Sequence, residues 1–487
     1  MMQHKFSKRF LAFMFTVCAL AAALAVGVFA ETAADITDSV TIKATGLDKV
    51  SVLTDGSLST TASGENISIS IESEQPMGGL YIKYREIPTQ GALNGSTPIA
   101  GYGFIHEYIP LDGAAKATLS YPKVNIAEIS VYAVGDLPED VQVWEIGPDG
   151  TDLMLFATHS DDDQLFFAGL IPYYVDKGVI VRVAYFVNHF DMASRTHELL
   201  DGLWHCGLKN YPIISPLPDG YSESIEGAEK YLKGQGFEHA NILNLQRIFL
   251  NRYKPKVAVL HDFQGEYGHG AHMLNTATFV EAVENPTNGL YLPEKIYVHL
   301  YKENPLVLDI DTPLESFDGK TAFQVSQEAF GYHKSQHWTW FYKWLYGKNG
   351  NITKASQIKS YNPANYGLYY SSVGEDTGTN DMLENVKTYG ELQAEEEERQ
   401  AELRRREEEQ RLKEQEEYEA DTVRLEEEAR EAERLAAEQR DKKQAQLVVS
   451  LSLLGTAVLV VILFFFVFPR KPRRRRKPLP KTQNSER

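Results

Sequence analysis

Cysteine is almost absent from this chain of 487 residues, which contains two, Cys18 and Cys206. Cys18 lies in an apolar stretch that we expect to be removed, so the mature chain would keep Cys206 alone. A single cysteine excludes any disulfide within one chain. A secreted protein without disulfides fits a bacterial surface better than an animal one. Cys18 follows Val17 rather than a small residue, which argues against a lipid anchor at this position.

Positive charge is also scarce. The chain has 49 lysines and arginines against 67 aspartates and glutamates, which gives a net charge of −18. Many of the basic residues cluster near the C-terminus, directly after an apolar run, and the central part of the chain is acidic. An acidic protein does not attract nucleic acid, so we exclude nucleic acid as a partner. Anionic lipid is sufficient to explain a basic tail beside a membrane.

Long apolar runs occur only near the two ends of the chain. Residues 10–28 are apolar and follow a short basic segment, and Ala30 offers a cleavage site, so residues 1–30 are predicted to be a secretory signal peptide. An uncleaved membrane helix is the alternative. Residues 447–468 carry no charge and are long enough to cross a hydrocarbon core of ~30 Å. Because the basic cluster at 470–477 should stay in the cytoplasm, we predict a single-pass membrane protein whose central part is extracellular.

Residues 31–147 have the pattern of a β-domain. Short runs of alternating apolar and polar residues are separated by turn residues, which is typical of a β-sandwich. The clearest runs are residues 40–44, 67–71, 80–84 and 129–133. Three short segments, at 53–56, 127–132 and 141–144, resemble discoidin-like (galactose-binding-like) modules. Such a module implies glycan binding, and a spacer that only packs against the next domain is the alternative.

Residues 148–347 have a different pattern, in which apolar runs alternate with helical stretches. The continuous apolar runs at 153–157, 179–186, 257–260 and 296–300 predict buried strands. Buried strands between helices imply a parallel sheet that is covered on both faces. In such α/β folds the ligand binds beyond the carboxyl ends of the strands.

The remaining segments connect this domain to the membrane run. Residues 348–390 are polar and are predicted to be a linker. Residues 391–445 are rich in Glu and Arg and lack Gly and Pro, and several Glu–Arg pairs are four residues apart, which favours a helix. We interpret this segment as a charged helical stalk. A coiled coil that makes the protein a dimer is the alternative.

Two of the predicted strands are followed directly by side chains that can carry chemistry. His159 and Asp162 follow the first strand, and His272 lies twelve residues after the third. Two imidazoles and a carboxylate form the kind of ligand set that catalytic zinc uses. Asp161 can take a proton from water beside such an ion. His269 can face the oxygen of a tetrahedral intermediate or protonate a leaving amine. The structural alternative is a solvated acidic turn or a helix cap.

Four motifs then point to a family. The chain has Thr-His-Ser-Asp-Asp-Asp at 158–163, Arg-Thr-His-Glu-Leu at 195–199, Gly-His-Gly-Ala-His at 268–272 and His-Lys-Ser-Gln at 333–336. In this order they resemble Ala-His-Pro-Asp-Asp-Glu, Arg-x-x-Glu-Leu, Gly-His-Pro-Asp-His and His-x-Ser-Gln of the PIG-L/LmbE-like zinc de-N-acetylases. The resemblance covers less than half of the chain.

The resemblance implies a Rossmann-like α/β catalytic domain. It implies that His159, Asp162 and His272 bind zinc, with manganese and cobalt as alternatives. It further implies that Asp161 is the general base, that His269 stabilises the oxyanion, and that Arg195 contacts substrate or braces the site.

The chain departs from the family motifs at several positions, and the substitution that matters most is Ala271 in place of an aspartate. None of the departures removes a ligand or the base, but the missing acid is expected to weaken the orientation of the neighbouring histidines.

Family substrates are mostly N-acetylglucosamine conjugates. With the predicted topology, this implies an extracellular, membrane-anchored hydrolase that removes acetyl groups from an amino-sugar glycan. The alternative is a glycan-binding surface protein whose deacetylase-like domain is degenerate. Aromatic residues at 338–344 could stack on sugar rings or pack a C-terminal helix.

Overall fold

The computed structural model describes residues 31–467. The predicted signal peptide and the basic tail lie outside these residues. The described chain divides into two units, with the boundary between Gln393 and Ala394. It is a mixed α/β protein with two β-sheets and one long C-terminal helix.

The first sheet contains five strands and lies where the sequence predicts a β-domain. Buried isoleucines such as Ile67, Ile69 and Ile71 alternate with more exposed serines, so one face of the sheet packs into a core. Positive φ angles at Asp112 and Gly113 turn the chain within the longest strand. A sandwich architecture and a discoidin relationship stay predictions. The strands are β1 (Thr41–Leu47), β2 (Ala62–Tyr84), β3 (Gly91–Leu93), β4 (Thr97–Ile99) and β5 (His106–Ala133), in the spatial order β1-β2-β5-β3-β4.

The second sheet contains seven strands, in the order β11-β12-β10-β9-β6-β7-β8. The four predicted buried strands are all present in it, and the pairs β10–β9, β9–β6, β6–β7 and β7–β8 are parallel. The strands are β6 (Thr151–Ala157), β7 (Val181–Tyr185), β8 (Ile213–Ile214), β9 (Pro255–Leu260), β10 (Lys295–His299), β11 (Pro305–Val307) and β12 (Asn365–Ser371).

Helices cover both faces of this sheet, because successive side chains of a strand point to opposite faces. Leu153 and Leu155 of β6 belong to a core that includes α1, α2 and α7, whereas Met154 and Phe156 belong to a core with α4 and α6. The helices are α1 (Leu170–Asp176), α2 (Ala193–His205), α3 (Ile225–Gly234), α4 (His239–Tyr253), α5 (Gly265–Gly268), α6 (Gly270–Glu284), α7 (Ala322–Phe330) and α8 (Trp340–Tyr346).

The segment predicted as a linker, 348–390, is in part a component of this domain, which corrects the prediction. It contributes β12, which pairs antiparallel with both β10 and β11. Beyond that strand, Met382 is fully buried, and the buried Lys295 forms an ion pair with Asp376 at 2.5 Å. A buried lysine without a partner would destabilise the fold, so this ion pair fixes the segment that contains Asp376 to β10.

The last helix, α9 (Tyr389–Val467), is continuous for 79 residues, which corresponds to about 120 Å. Nearly all of its residues are exposed, as a predicted stalk would require. Two of the predicted ion pairs are present, Glu402–Arg406 at 2.6 Å and Glu426–Arg430 at 3.3 Å. Within the described residues, α9 is the helix long and apolar enough to cross a membrane. The coiled-coil alternative stays a prediction.

Candidate metal centre

The site begins at the carboxyl ends of two adjacent strands, β6 and β9. The chain leaves β6 in a turn that the carboxylate of Asp162 holds, because its Oδ2 accepts the backbone N–H groups of Thr158 at 3.1 Å and His159 at 2.6 Å. Directly after β9, Nε2 of His261 also accepts the N–H of Thr158, at 3.1 Å. These hydrogen bonds join the two strand ends where a parallel sheet is expected to bind its ligand.

Three of the sequence-predicted ligand atoms converge beside this turn. Nδ1 of His159 lies 3.0 Å from Nε2 of His272, and Oδ2 of Asp162 lies 3.3 Å from the first and 3.4 Å from the second. Ligands that bind zinc tetrahedrally at about 2.0–2.2 Å lie roughly 3.3–3.5 Å from one another. All three side chains are buried, so the group has the spacing and the donors of a metal site. Two overlapping groups could also hold an ion: His159, His269 and His272, and Asp162, His261 and His272.

The hydrogen bonds of the two imidazoles fix where their lone pairs point. His272 donates its Nδ1–H to Glu266 at 2.6 Å, and Nε2 of His159 faces Asp219 at 3.3 Å. Nε2 of His272 is therefore unprotonated, and Nδ1 of His159 is the nitrogen that the contact with Asp219 leaves to bind a cation. Two lone pairs and a carboxylate oxygen repel one another at this distance unless a cation lies among them. A proton is the alternative cation. Burial alone would lower the pKa of His159, but Asp219 and Asp162 raise it to about 9.

Glu266 is a site residue whose role the sequence did not predict. Its fully buried carboxylate accepts from Nδ1 of three imidazoles, those of His261, His272 and His299, at 2.6 to 3.0 Å. Although burial alone would raise it, His261 and His272 hold the pKa of Glu266 well below its usual range. The backbone of Glu266 has φ 47° and ψ −73°, a strained conformation that persists at functional sites.

Glu266 supplies an orienting carboxylate although Ala271 replaces the acid of the family motif. The family motif has an acid in place of Ala271, whose loss was expected to weaken the orientation of the histidines. Here the carboxylate that orients His272 comes from a position six residues earlier. The sequence signal for it was weak, because a single glutamate in a Gly-rich turn does not indicate burial.

Asp219 was also missed. It lies in the loop between β8 and α3, and its carboxylate faces Nε2 of His159 at 3.3 Å and Nε2 of His189 at 3.2 Å. His159 and His189 hold the pKa of Asp219 well below its usual range, against the effect of burial. An isolated aspartate followed by glycine reads as an ordinary turn, so the sequence gives no sign of this contact.

The predicted base and the residue predicted to brace it are in contact. Nη2 of Arg195, on α2, lies 3.2 Å from Oδ1 of Asp161. Both side chains are buried, and Asp161 lies in the turn that carries His159 and Asp162. The ion pair fixes one oxygen of the Asp161 carboxylate.

His269 is buried beside the group. Its ring centroid is 4.6 Å from that of His159 and 4.9 Å from that of His272. Its Nδ1 accepts the N–H of Ala271 at 3.2 Å and caps α6, so the neutral ring carries its proton on Nε2. Burial, with His159 and His272 nearby, lowers the pKa of His269 to about 2, which keeps it a neutral donor.

The other two motif segments contact each other and the first motif. Glu198 accepts from the N–H and the hydroxyl of Ser335 at 3.0 and 2.5 Å. Nε2 of His333 donates to Oε1 of Gln164 at 2.6 Å. These contacts brace α2, which carries Arg195, and the turn after β6.

Comparisons with known proteins give partial likenesses. No protein-family model and no curated protein matches the chain. Solved structures with local similarity include the conserved protein TT1542 from Thermus thermophilus, at 18% identity over 38% of this chain and 80% of that one, with a TM-score of 0.28. The N,N'-diacetylchitobiose deacetylase from Pyrococcus horikoshii has 13% identity over 45% and 83% of the two chains, with a TM-score of 0.29. A deacetylase of teicoplanin biosynthesis has 12% identity over 46% and 100%, with a TM-score of 0.30. At these TM-scores the likenesses carry no weight for the function of this chain.

Proposed function

We propose that this protein is a membrane-anchored, extracellular, metal-dependent hydrolase that removes N-acetyl groups from an amino-sugar glycan. The observation that carries the proposal is the convergence of Nδ1 of His159 and Nε2 of His272 with Oδ2 of Asp162, 3.0 to 3.4 Å apart. The membrane anchor rests on the apolar part of α9, and the extracellular side rests on the sequence pattern of the two chain ends.

A divalent cation, which we propose to be zinc with manganese or cobalt as alternatives, would polarise the amide carbonyl and make water acidic enough to attack it. His159, Asp162 and His272 are the residues that would hold it. Their second partners, Asp219 and Glu266, orient the two imidazoles.

The remaining side chains can handle the protons of amide hydrolysis. Asp161 would accept a proton from the attacking water and return it to the leaving nitrogen, so that the C–N bond breaks to give acetate and a free amine. Arg195 holds one oxygen of Asp161 and leaves the other for this transfer. The Nε2–H of His269 would donate to the oxygen of the tetrahedral intermediate.

The test is acetate release by the full-length protein in detergent. The substrates are a panel of N-acetylated sugars and wall polymers, assayed as purified, after a chelator, and after addition of zinc, manganese or cobalt to the chelated protein. We expect the chelator to abolish release and one of the metals to restore it. Release that is unaffected by complete metal removal would contradict the proposal.

The substitution His239→Ala is the matched control for changes to the site histidines. His239 is half-exposed on α4, where it bonds Glu229 and Glu281 at the surface. We expect this variant to retain metal and activity. A wild-type protein that holds one metal ion but releases no acetate from any substrate would favour the glycan-binding alternative.

A further inference from the structure

The five tryptophans of the chain fall into two groups. Three of them donate their indole N–H to an oxygen of the protein: Trp144 at 2.8 Å, Trp204 at 2.7 Å and Trp344 at 2.9 Å. The side chains of Trp338 and Trp340 are 84% and 45% exposed, and within residues 31–467 neither indole N–H has a protein acceptor. Tryptophan usually finds a partner for this group, so these two are the ones available to a ligand.

A line of rings joins Trp340 to the candidate metal centre. The ring centroid of Trp340 is 5.7 Å from that of Tyr267, which is 5.5 Å from that of His269. Tyr221, which is 69% exposed, also has its ring centroid 5.3 Å from that of His269. Trp340 is therefore at most about 11 Å from His269, a span comparable with two linked sugar rings.

Aromatic packing fixes α8, the helix that carries Trp340. Two other residues of α8, Phe341 and Trp344, pack against Phe166, with ring centroids 5.8 and 5.5 Å from that of Phe166. The ring centroids of Trp340 and Phe341 are 4.4 Å apart. One side of the Trp340 ring is thus supported while nearly half of it stays exposed, which is what a stacking surface requires.

We propose that Trp340, together with Trp338, forms an aromatic subsite that stacks on a sugar ring one or two units away from the N-acetyl group being hydrolysed. This rests on the proposed function and deepens it, because it makes the substrate an oligosaccharide or polymer rather than a single sugar. The apolar C–H face of a pyranose fits an aromatic ring, and the free indole N–H can donate to a sugar hydroxyl.

Exposed tryptophans also occur at membrane interfaces, and a lipid surface is the competing occupant. The line of rings from Trp340 through Tyr267 to His269 favours the sugar, because a lipid contact would not need continuity with the site.

The experiment uses full-length protein in detergent and N-acetylglucosamine oligomers of one, two and four units. For each oligomer, kcat/KM is measured on the wild type, Trp338→Ala, Trp340→Ala and the double variant. The control is Tyr102→Ala, which removes an aromatic ring that is 70% exposed in the β-domain. We expect wild-type kcat/KM to rise with length, and the ratio of tetramer to monomer to fall about 10-fold in Trp340→Ala, as the loss of one stacking contact predicts. The control should keep the wild-type ratio.

Binding of the tetramer and of vesicles of phosphatidylcholine and phosphatidylglycerol is measured alongside, by tryptophan fluorescence, on Asp161→Asn protein with and without the Trp340→Ala change. Weaker tetramer binding with Trp340→Ala supports the subsite. An unchanged length ratio together with unchanged tetramer binding overturns it, and so does a loss of vesicle binding alone. If the wild type releases no acetate from any sugar, the proposed function has failed, and the binding data still decide whether the subsite exists.

Discussion

Within residues 31–467, two clusters of buried histidines differ in what surrounds them. In the candidate metal centre, carboxylates face the imidazoles, and the pKa values of His159 and His261 are both raised to about 9 although burial opposes this. In the second cluster, where β5 of the first sheet meets α2, burial lowers the pKa of His106 well below its usual range and that of His197 to about 3.

The second cluster is a chain of neutral hydrogen bonds. Nδ1 of His106 donates to Oε1 of Gln142 at 2.7 Å, because the amide nitrogen of Gln142 donates to Asp201 at 2.6 Å. Nε2 of His106 then accepts from Nδ1 of His197 at 2.6 Å. The protons of this chain lie between the rings, and no lone pairs converge on a common point.

The comparison shows that burial and proximity do not make a metal site by themselves. The site needs lone pairs that converge, and second partners that take the protons from the opposite nitrogens. Glu266 and Asp219 face the opposite nitrogens in the candidate metal centre, whereas the rings of His106 and His197 hydrogen-bond to each other. The predictions below test this difference, from the largest expected effect to the smallest.

The largest effect is expected from the ligands and the base. His159→Ala or His272→Ala should abolish both metal retention and amine release, because each removes one of the three proposed metal ligands. Asp161→Asn should retain the metal but lower turnover by about 10²- to 10⁴-fold, as the loss of a proton-transfer group predicts. Metal content by elemental analysis and acetate release measure the two effects separately. Full activity of Asp161→Asn would rule out its role as the base.

A smaller effect is expected from Glu266→Gln. The amide keeps the size of the side chain but accepts fewer imidazole N–H groups, so His272 would be less well oriented. We expect metal affinity to fall about 10- to 100-fold, the typical cost of losing such a partner. Titration of the metal-free protein with zinc in competition with a chelating dye measures this. Wild-type affinity would show that Glu266 is only part of the core.

The smallest effect on the chemistry, and a distinct effect on stability, is expected from His197→Gln. Because the folded-state pKa of His197 is about 3 and the usual value is 6.5, the unfolded chain binds a proton in this range that the folded chain does not. The free energy of unfolding therefore falls as the pH falls from about 6.5 to about 3, with a slope of up to ~1.4 kcal/mol per pH unit from this group.

The variant should lose that part of the slope and retain its metal. Urea unfolding of both proteins at pH 4.5 and pH 7, followed by tryptophan fluorescence, measures the difference. His239→Gln serves as the control: the pKa of His239 is raised, by Glu229 and Glu281 against the effect of burial, so its contribution is complete below pH 6.5 and is lost at higher pH. An equal change of slope in both variants would contradict the assignment.

Much of the fold could be predicted from local patterns. The strands around Leu153 and Val257 were identifiable because continuous apolar runs between helices indicate buried parallel strands, and strand ends locate the ligand site. The grouping of His159, Asp162 and His272 followed from that placement and from the resemblance. The strand at Asn365–Ser371 was missed, because it is short, carries Gly367 and lies among polar residues, so its pattern is that of a loop.

The supporting residues could not be predicted, because their roles depend on long-range contacts. Asp219 and Glu266 are single acids in turns, and only the folded chain shows that each faces an imidazole. Likewise, His106 and His197 are 91 positions apart and lie on β5 and α2, so no spacing rule relates them.

The most direct test of the central claim is a crystal of the protein soaked in zinc and measured on both sides of the zinc absorption edge. The account predicts one anomalous peak about 2.0–2.2 Å from Nδ1 of His159, Oδ2 of Asp162 and Nε2 of His272. A site that stays empty at millimolar zinc, or a peak that lies at the surface histidine His239 instead, would contradict it.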